Sequence, residues 1–352
     1  MAEKKAAPHD LQQTRGSFTF RGIVSGKDKD SFYKETKTKS NKPFRSVNFS
    51  VEYDKDKRDF ISLNGMERDT VVFSKKETDD GGKSKTITEK VLWKNRFDFN
   101  KEGFNLLGVG LGLEKTTDSN GKEVNKKVTL VEFDACDHIK NHLEDGQSVF
   151  VKGNIDYSTF DNKHYTKFVP QQISLCSKDI DFEDEKFEAN HFFTQQIVFM
   201  GLTKDKEYKN GDRFIISAKT IGYSSIEDVE LVTYNSKLAK TLKNNVKPYN
   251  AITVFGNIDV VTSVEEVIEE DDGWGESNPM ERNNAPFSRE LVVTGADKDS
   301  LDTELYSEES VEGAIAKLAT KDKTNKEYGG DSNDEWGSVD SSSGSDDDDE
   351  WG

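Results

Sequence analysis

The chain has 352 residues, 33% of them hydrophobic and 33% charged, with a formal net charge of −18. That is enough length for two ordinary domains, with polar chain left over that no core can hold. Two cysteines, Cys136 and Cys176, exclude a disulfide framework and a cysteine zinc set, and no apolar run reaches the ~18 residues of a membrane helix.

The polar Met1–Gly16 lacks the apolar stretch of a signal peptide, so the expectation is a protein of the cytoplasm with reduced core cysteines. The charge is lopsided. Residues 1–180 hold 32 Lys+Arg and 28 Asp+Glu; residues 181–270 hold 10 and 16; residues 271–352 hold 7 and 23. A near-neutral body thus carries an acidic tail, and the overall acidity does not argue against a nucleic-acid partner for the body.

Residues 1–15 read as a flexible arm. Ser17–Ser25 alternates as a strand around Gly22, and a lysine-rich loop follows to Lys42. Arg45–Tyr53 alternates cleanly, with Val47, Phe49, Val51 and Tyr53 on one face, as a half-buried strand requires. Residues 60–127 read as an insertion of β-ribbons between Gly-rich turns. Val128–Phe133 reads as a strand, Cys136–Leu143 as a helix, and Gln147–Asp156 and Lys163–Leu175 as a closing hairpin. Phe18, Phe20 and Phe49 are assigned to the core.

After an acidic linker at Asp179–Glu188 the pattern repeats. FTFRGIV at 18–24 matches IVFMGLT at 197–203, with Gly22 opposite Gly201; RSVNFSVEY at 45–53 matches RFIISAKTIGY at 213–223; Leu130–Phe133 matches Leu231–Tyr234; and Gly153–Asp156 matches Gly256–Asp259. A helix-compatible segment sits between the third and fourth strands of each unit. Strands in this order, with one helix in that place, describe an all-β fold of two tandem OB-folds, small Greek-key barrels. The predicted domains are an arm at 1–15, a first barrel at 16–178 with its insertion at 60–127, and a second at 190–268. A disordered acidic tail takes 269–352, poor in apolar residues apart from a short helix at Ser310–Thr320. The tail repeats a Trp-Gly motif at Asp271–Gly275, Asp334–Gly337 and Asp346–Gly352.

The stretch Leu130–Gly153 resembles the run from third strand through helix to fourth strand in bacterial and phage single-stranded DNA-binding proteins. Residues 153–175 resemble their next hairpin, and Asp346–Gly352 resembles their acidic C-terminal tip. The sequence departs from that family in its long insertion, its second barrel and its Trp-Gly end. The resemblance implies coating of single-stranded DNA in replication, recombination or repair, with the tail recruiting proteins of those processes. With the lysine-rich composition and the duplication, it points to a bacteriophage origin and the host cytoplasm.

Single strands are held by aromatic faces beside basic groups. Arg21, Arg45, Trp93, Arg96, Phe97, Phe150, Lys152, Tyr157, Phe160, Lys163, Tyr165 and Lys167 are the nucleic-acid-binding candidates, with Phe168 in the same aromatic-basic hairpin. The loop lysines Lys34, Lys37, Lys39 and Lys42 supply a phosphate clamp. In the second unit the exposed candidates are Lys204, Lys206, Tyr208, Lys209 and Arg213. In the tail, Trp274, Trp336, Asp346, Asp347, Asp348, Asp349, Glu350 and Trp351 form a partner hook, or a mimic of a strand that competes for the groove. No catalytic set, cofactor or metal site is expected: His138 and His142 lie four apart near Cys136, without the further ligands of a zinc motif. The alternatives are an interaction or scaffold protein using the barrels and the Trp-Gly tail, and an RNA-binding protein. The sequence leaves the oligomeric state open, a monomer being the simplest reading.

Overall fold

The computed structural model describes residues 7–78, 82, 84–160, 163–262 and 287–328. It is all-β with short helices and holds two OB barrels in tandem. The first is built from β1 (Gly16–Ser25), β2 (Tyr33–Lys37), β3 (Pro43–Asp54) and β4 (Lys57–Met66), then, after an insertion, α1 (Glu132–His142), β10 (Ser148–Phe160) and β11 (Lys163–Leu175). The insertion contributes β5 (Thr70–Thr78), β6 (Ser84–Leu92), a 3-10 turn at Trp93–Asn95, β7 (Asn105–Leu106), β8 (Val109–Thr117) and β9 (Glu123–Leu130). The second barrel is β12 (Asn190–Lys204), β13 (Phe214–Ile221), β14 (Ile226–Thr233), α2 (Ser236–Asn245), β15 (Ala251–Thr262) and β16 (Phe287–Asp302), followed by α3 (Glu308–Tyr328).

Each barrel closes the same way. With β1, β3, β4, β10 and β11 as the five strands of barrel one and β2 an added edge hairpin on β3, the first strand pairs antiparallel with the second and fourth, the fourth with the fifth, and the fifth runs parallel to the third, at Phe168–Ile61 in barrel one and Val292–Val232 in barrel two. The expected alternation holds in β3, where Val47, Phe49, Val51 and Tyr53 are buried. Phe18, Phe20 and Phe168 meet at ring distances of 4.9–5.1 Å in the core. That placement takes Phe168 out of the candidate aromatic-basic hairpin.

The repeat has its clearest physical cause at Gly153 and Gly256. The fourth strand bulges at Lys152/Gly153 in one barrel and at Phe255/Gly256 in the other. A Cβ there would stand 2.0 Å from the Val169 carbonyl oxygen and 1.9 Å from that of Val292. Only glycine lets the strand bend against its neighbour at that distance.

Four expectations are corrected. First, the third strand of barrel one is β4, most of which falls in the span 60–127 assigned to the insertion, whereas Leu130–Phe133 closes β9 and opens α1. Phe133, Ala135, Cys136 and Ile139 are buried from the helix, so the apparent alternation of that stretch is the inner face of a helix starting a turn earlier than read. Second, the matching of Gly22 with Gly201 fails. A Cβ at Gly22 would meet the Glu52 carbonyl oxygen at 2.1 Å, while nothing lies within 4 Å at Gly201, which sits at a bulge.

Third, the tail assigned to 269–352 contains β16, the fifth strand of barrel two, and α3. Backbone pairing to β15 along its length fixes β16, so it needs few apolar residues of its own; Leu291 and Val293 suffice for the core. On α3, Val311 and Ala314 pack with Tyr306, Val198, Ile221 and Ala251. Fourth, within the arm assigned to 1–15, residues 7–15 are seated on barrel two. His9 is buried with Nε2 2.8 Å from the Gly222 carbonyl, the Thr14 amide donates to Ile221 at 2.9 Å, and the Tyr306 hydroxyl donates to the Gln12 carbonyl at 2.7 Å.

The two barrels share one sheet. β1 and β12 pair antiparallel from Gly16–Gln195 to Arg21–Asn190. The row Gly153–Phe18–Phe193–Gly256 therefore crosses both barrels and sets matching residues opposite one another about a local pseudo-twofold. A second tie is polar. Arg289 of β16 donates through Nε to Asp59 of β4 at 2.5 Å and through Nη1 to the Thr166 carbonyl at 3.2 Å, and lies 4.8 Å from the Phe168 ring centre. Among the described residues no helix is long and apolar enough to cross a membrane.

Candidate nucleic-acid interface

The sheet that joins the barrels has an outer face, and alternation decides what stands on it. In β10, Val149, Val151 and Ile155 point into barrel one, which turns Phe150, Lys152 and Asn154 outward, as the sequence predicts. In β1, Phe18 and Phe20 point in, and Ser17, Thr19 and Arg21 out. In β12 and β15, Phe193, Val254 and Ile258 are buried, leaving Phe192, Thr194, Phe255 and Asn257 outside.

Pairing aligns these residues in rows. Lys152, Thr19, Phe192 and Asn257 form one row across four strands; Asn154, Ser17, Thr194 and Phe255 form the next; Phe150, Arg21 and Asn190 form a third. Phe192 is 48% and Phe255 43% exposed. The Phe255 ring lies over the bare backbone of Gly295, where a Cβ would sit 2.5 Å from it. The Thr19 hydroxyl donates to Asn190 Oδ1 at 2.9 Å, and Arg21 lies 5.9 Å from the Phe187 ring centre. Neither Arg21 nor Lys152 is held by a carboxylate among the described residues. The face thus offers flat apolar rings, two cations and a set of short polar side chains, all on regular strands.

The remaining candidates fall elsewhere. Arg45, Trp93, Arg96 and Phe97 gather around Phe133 at the foot of the insertion. Arg45 stacks 4.0 Å from the Phe133 ring centre, Trp93 meets Phe133 edge-on at 5.9 Å, and Arg96 lies 4.2 Å from Trp93 and 4.3 Å from Phe97. Arg96 is also bidentate on Asp134, at 2.7 and 3.0 Å, so its charge is spent within the fold. Of this group Phe97 alone is widely exposed, at 65%. A cleft of about 540 Å³ opens at Trp93, lined also by Lys42, Arg68, Lys94, Glu67, Asp69 and Leu92. Of the loop lysines, Lys42 lines it, while Lys34, Lys37 and Lys39 lie exposed on the β2–β3 hairpin.

On the β10–β11 hairpin, Tyr165 and Lys167 are exposed, while Tyr157 packs against the core and donates to Gln195 Oε1 at 3.3 Å. Phe160 and Lys163 are paired in register, and their side chains lie outside the described residues. In barrel two, Lys204 is held by Asp212 at 2.6 Å, and Arg213 by Asp205 and Glu290 at 2.5 and 2.6 Å; Lys206 and Lys209 are exposed and Tyr208 half-buried. The tail residues Trp274, Trp336, Asp346–Glu350 and Trp351 lie outside the described residues.

Sequence reasoning missed Phe192, Phe255 and Phe60. Phe60 stands 56% exposed on β4, opposite Ser50, where it was folded into the supposed insertion. The signal was present for the other two: adjacent Phe192 and Phe193 cannot share one face of a strand, and Phe255 falls out of phase with Val254 and Ile258.

Titration marks two buried groups. Burial pushes the Cys136 thiol up to about 12, and its Sγ lies 3.4 Å from the Leu63 carbonyl, which makes it a core residue and not a nucleophile. Burial pushes Asp59 up to about 6, against the opposing pull of Arg289.

Three comparisons place the chain among known proteins. Among solved structures, it is similar to the single-stranded DNA-binding protein from Thermus aquaticus, with 9% identity, a TM-score of 0.37, and coverage of 81% of this chain and 93% of that one. A deletion variant of the same protein gives 9% identity, a TM-score of 0.38, and coverage of 81% and 94%. No curated protein matches the sequence. The family model described as YorF matches residues 83–330, from β6 in the insertion through α1, β10 and β11 of barrel one and the whole of barrel two to α3, leaving β1–β5 outside the match. With well over half of its length matched, the chain belongs to the YorF family.

Proposed function

We propose that the protein binds single-stranded DNA, laid across the outer face of the sheet that joins the two barrels. One observation carries this reading: Phe192 and Phe255 stand exposed on adjacent rows of a continuous four-strand surface that also bears Arg21, Lys152 and Phe150. Each base stacked on such a ring contributes about 1–3 kcal/mol with little regard to sequence. Every base has a flat face, whereas a duplex keeps its bases stacked on each other. The cations meet the phosphates, and the short polar groups accept a strand without dictating its sequence.

In this reading the protein acts by binding, not turnover. The acidic Trp-Gly segments of the tail carry charge and flat rings like a strand, and compete for the same face or hand it to replication and recombination proteins.

The test is fluorescence anisotropy of labelled oligo(dT) with the full chain over a salt series, beside Phe192→Ala/Phe255→Ala and Phe60→Ala. Affinity should fall with salt, and the double variant should lose about tenfold or more. A loss confined to Phe60→Ala moves the strand to the β3–β4 face. Absence of binding below about 100 µM, the weak end of ordinary non-specific binding, rejects the reading. A matching ribose oligomer, bound more tightly, would assign the face to RNA.

A further inference from the structure

We infer that Glu114, His138 and His142 form a binding site for one divalent transition metal ion of the zinc class, at the seam between β8 and α1. This rests on nothing in the DNA-binding reading.

His138 and His142 are four residues apart on α1, so both rings leave the helix on one side, stacked with centres 4.1 Å apart. β8 runs past that side and presents Glu114. One ligand atom from each of the three residues lies within 4.8 Å of the others. Tetrahedral zinc, with bonds of about 2.0–2.1 Å, holds its donor atoms about 3.4 Å apart. Closing that gap asks for about 1.4 Å of movement, and His142 and Glu114 are both partly exposed side chains.

The His142 tautomer is already that of a ligand. His142 Nδ1 lies 2.9 Å from the His138 carbonyl oxygen, and a carbonyl only accepts, so Nδ1 carries the hydrogen and the Nε2 lone pair is left for a metal. That Nε2 stands 3.7 Å from Glu114 Oε1, too far for a hydrogen bond. His138 Nε2 is buried and has no hydrogen-bond partner, and an unpaired buried nitrogen costs stability that a metal bond would recover. Glu114 Oε2 is held by Lys126 at 3.2 Å across the β8–β9 pair, which orients the carboxylate and leaves Oε1 facing the imidazoles. Cys136 takes no part, its sulfur being turned to the carbonyls of Leu63 and Arg45.

Two imidazoles and a carboxylate with water in the fourth place suit zinc, cobalt, nickel or copper, and do not suit calcium or magnesium. The bound ion would pin the base of the insertion to the helix of barrel one.

The full-length protein, freed of metal with a chelator that is then removed, is titrated with Co²⁺ and the visible d–d absorption followed, with Zn²⁺ added to displace it. One equivalent should saturate the wild type, and thermal unfolding should rise by a few degrees with Zn²⁺. His138→Ala, His142→Ala and the surface change Glu114→Gln should each weaken binding about tenfold or more, as loss of a ligand does. Absence of a Co²⁺ band in the wild type overturns the site. So does a band that all three ligand variants leave unchanged, which would put the ion elsewhere, on the acidic tail for example.

Discussion

Replacing Arg289 by methionine tests how the barrels are held together. Asp59 is 1% exposed, and its Oδ1 takes two nitrogens of Arg289, while Oδ2 has no hydrogen-bond partner. Met keeps most of the packing against Phe168 and removes the charge. Breaking one side of a buried pair costs about 3–5 kcal/mol, because the remaining ion is left in a poor solvent. Here the cost should depend on pH. Asp59 rises from 3.8 in the unfolded chain to about 6 in the fold, so between those values the folded state holds a proton that the unfolded state has lost. Its contribution is most favourable below pH 3.8 and falls as the pH rises through 6, by about 3 kcal/mol at 1.36 kcal/mol per decade. Without Arg289 the carboxyl rises further. At pH 5 it is largely protonated with or without the arginine, and the variant should lose about 1–2 kcal/mol, the ring contact and the bond to Thr166. At pH 8 it should lose about 3–5 kcal/mol. Urea unfolding of wild type and variant at the two pH values reads the difference. Arg289→Met/Asp59→Asn should recover most of the loss at pH 8. An equal loss at both values, with no recovery in the double variant, would refute a buried charge as the cause.

A chain ended at Val267 lacks β16 and should lose the cooperative unfolding of barrel two in thermal melts, while a chain ended at Tyr328 keeps it. Gly256→Ala should destabilise by about 2–4 kcal/mol, since a Cβ 1.9 Å from the Val292 carbonyl forces the fourth and fifth strands apart; calorimetry of the full chain measures it. Asn235→Ala should cost about 1 kcal/mol in urea unfolding, because the Asn235 side chain accepts from the amides of Lys237 and Leu238 at the start of α2.

Much of the fold was legible because β-strands declare themselves by alternation and because two glycines recur at one structural need. Where the reading failed, local pattern and tertiary pairing parted. β16 carries a run of polar and charged residues, Arg289–Glu290 and Ala296–Asp302, that composition assigns to a tail. It is ordered because strands on either side satisfy its backbone, and a hydrogen-bond ladder leaves no mark in hydropathy. β4 was missed for a different reason. It forms a hairpin with β3 across the two residues Lys55 and Asp56, with Ile61 and Leu63 buried, but Leu130–Phe133 imitated a third strand and left β4 to be counted with the insertion. At the candidate interface, Phe150, Lys152 and Arg21 were readable one strand at a time. The pairing of β1 with β12, which puts them in rows with Phe192 and Phe255, is a contact between repeats that neither repeat encodes alone. Arg45, Arg96 and Trp93 show the converse: aromatic beside basic is also how a fold packs a cation on its own rings.

That shared sheet decides what kind of surface the duplication makes. Two barrels on a flexible linker would offer two separate faces, free to turn against one another. Antiparallel pairing of the two first strands leaves no linker between the faces: it sets Phe18 against Phe193 and carries the outer rows through the junction without a break. The pseudo-twofold does not make the halves equal. At the bulge preceding the matched glycines, barrel one presents Lys152 and barrel two presents Phe255, so in the proposed function a phosphate contact in one half would correspond to a stacking contact in the other. A strand crossing the sheet would meet charge first and rings next, and would be bound with a direction. Swapping the two residues, Lys152→Phe with Phe255→Lys, would preserve composition and net charge. It should reverse the order in which a 5′-labelled and a 3′-labelled oligonucleotide quench on binding, and unchanged quenching would mean that the strand takes no direction from this pair of residues.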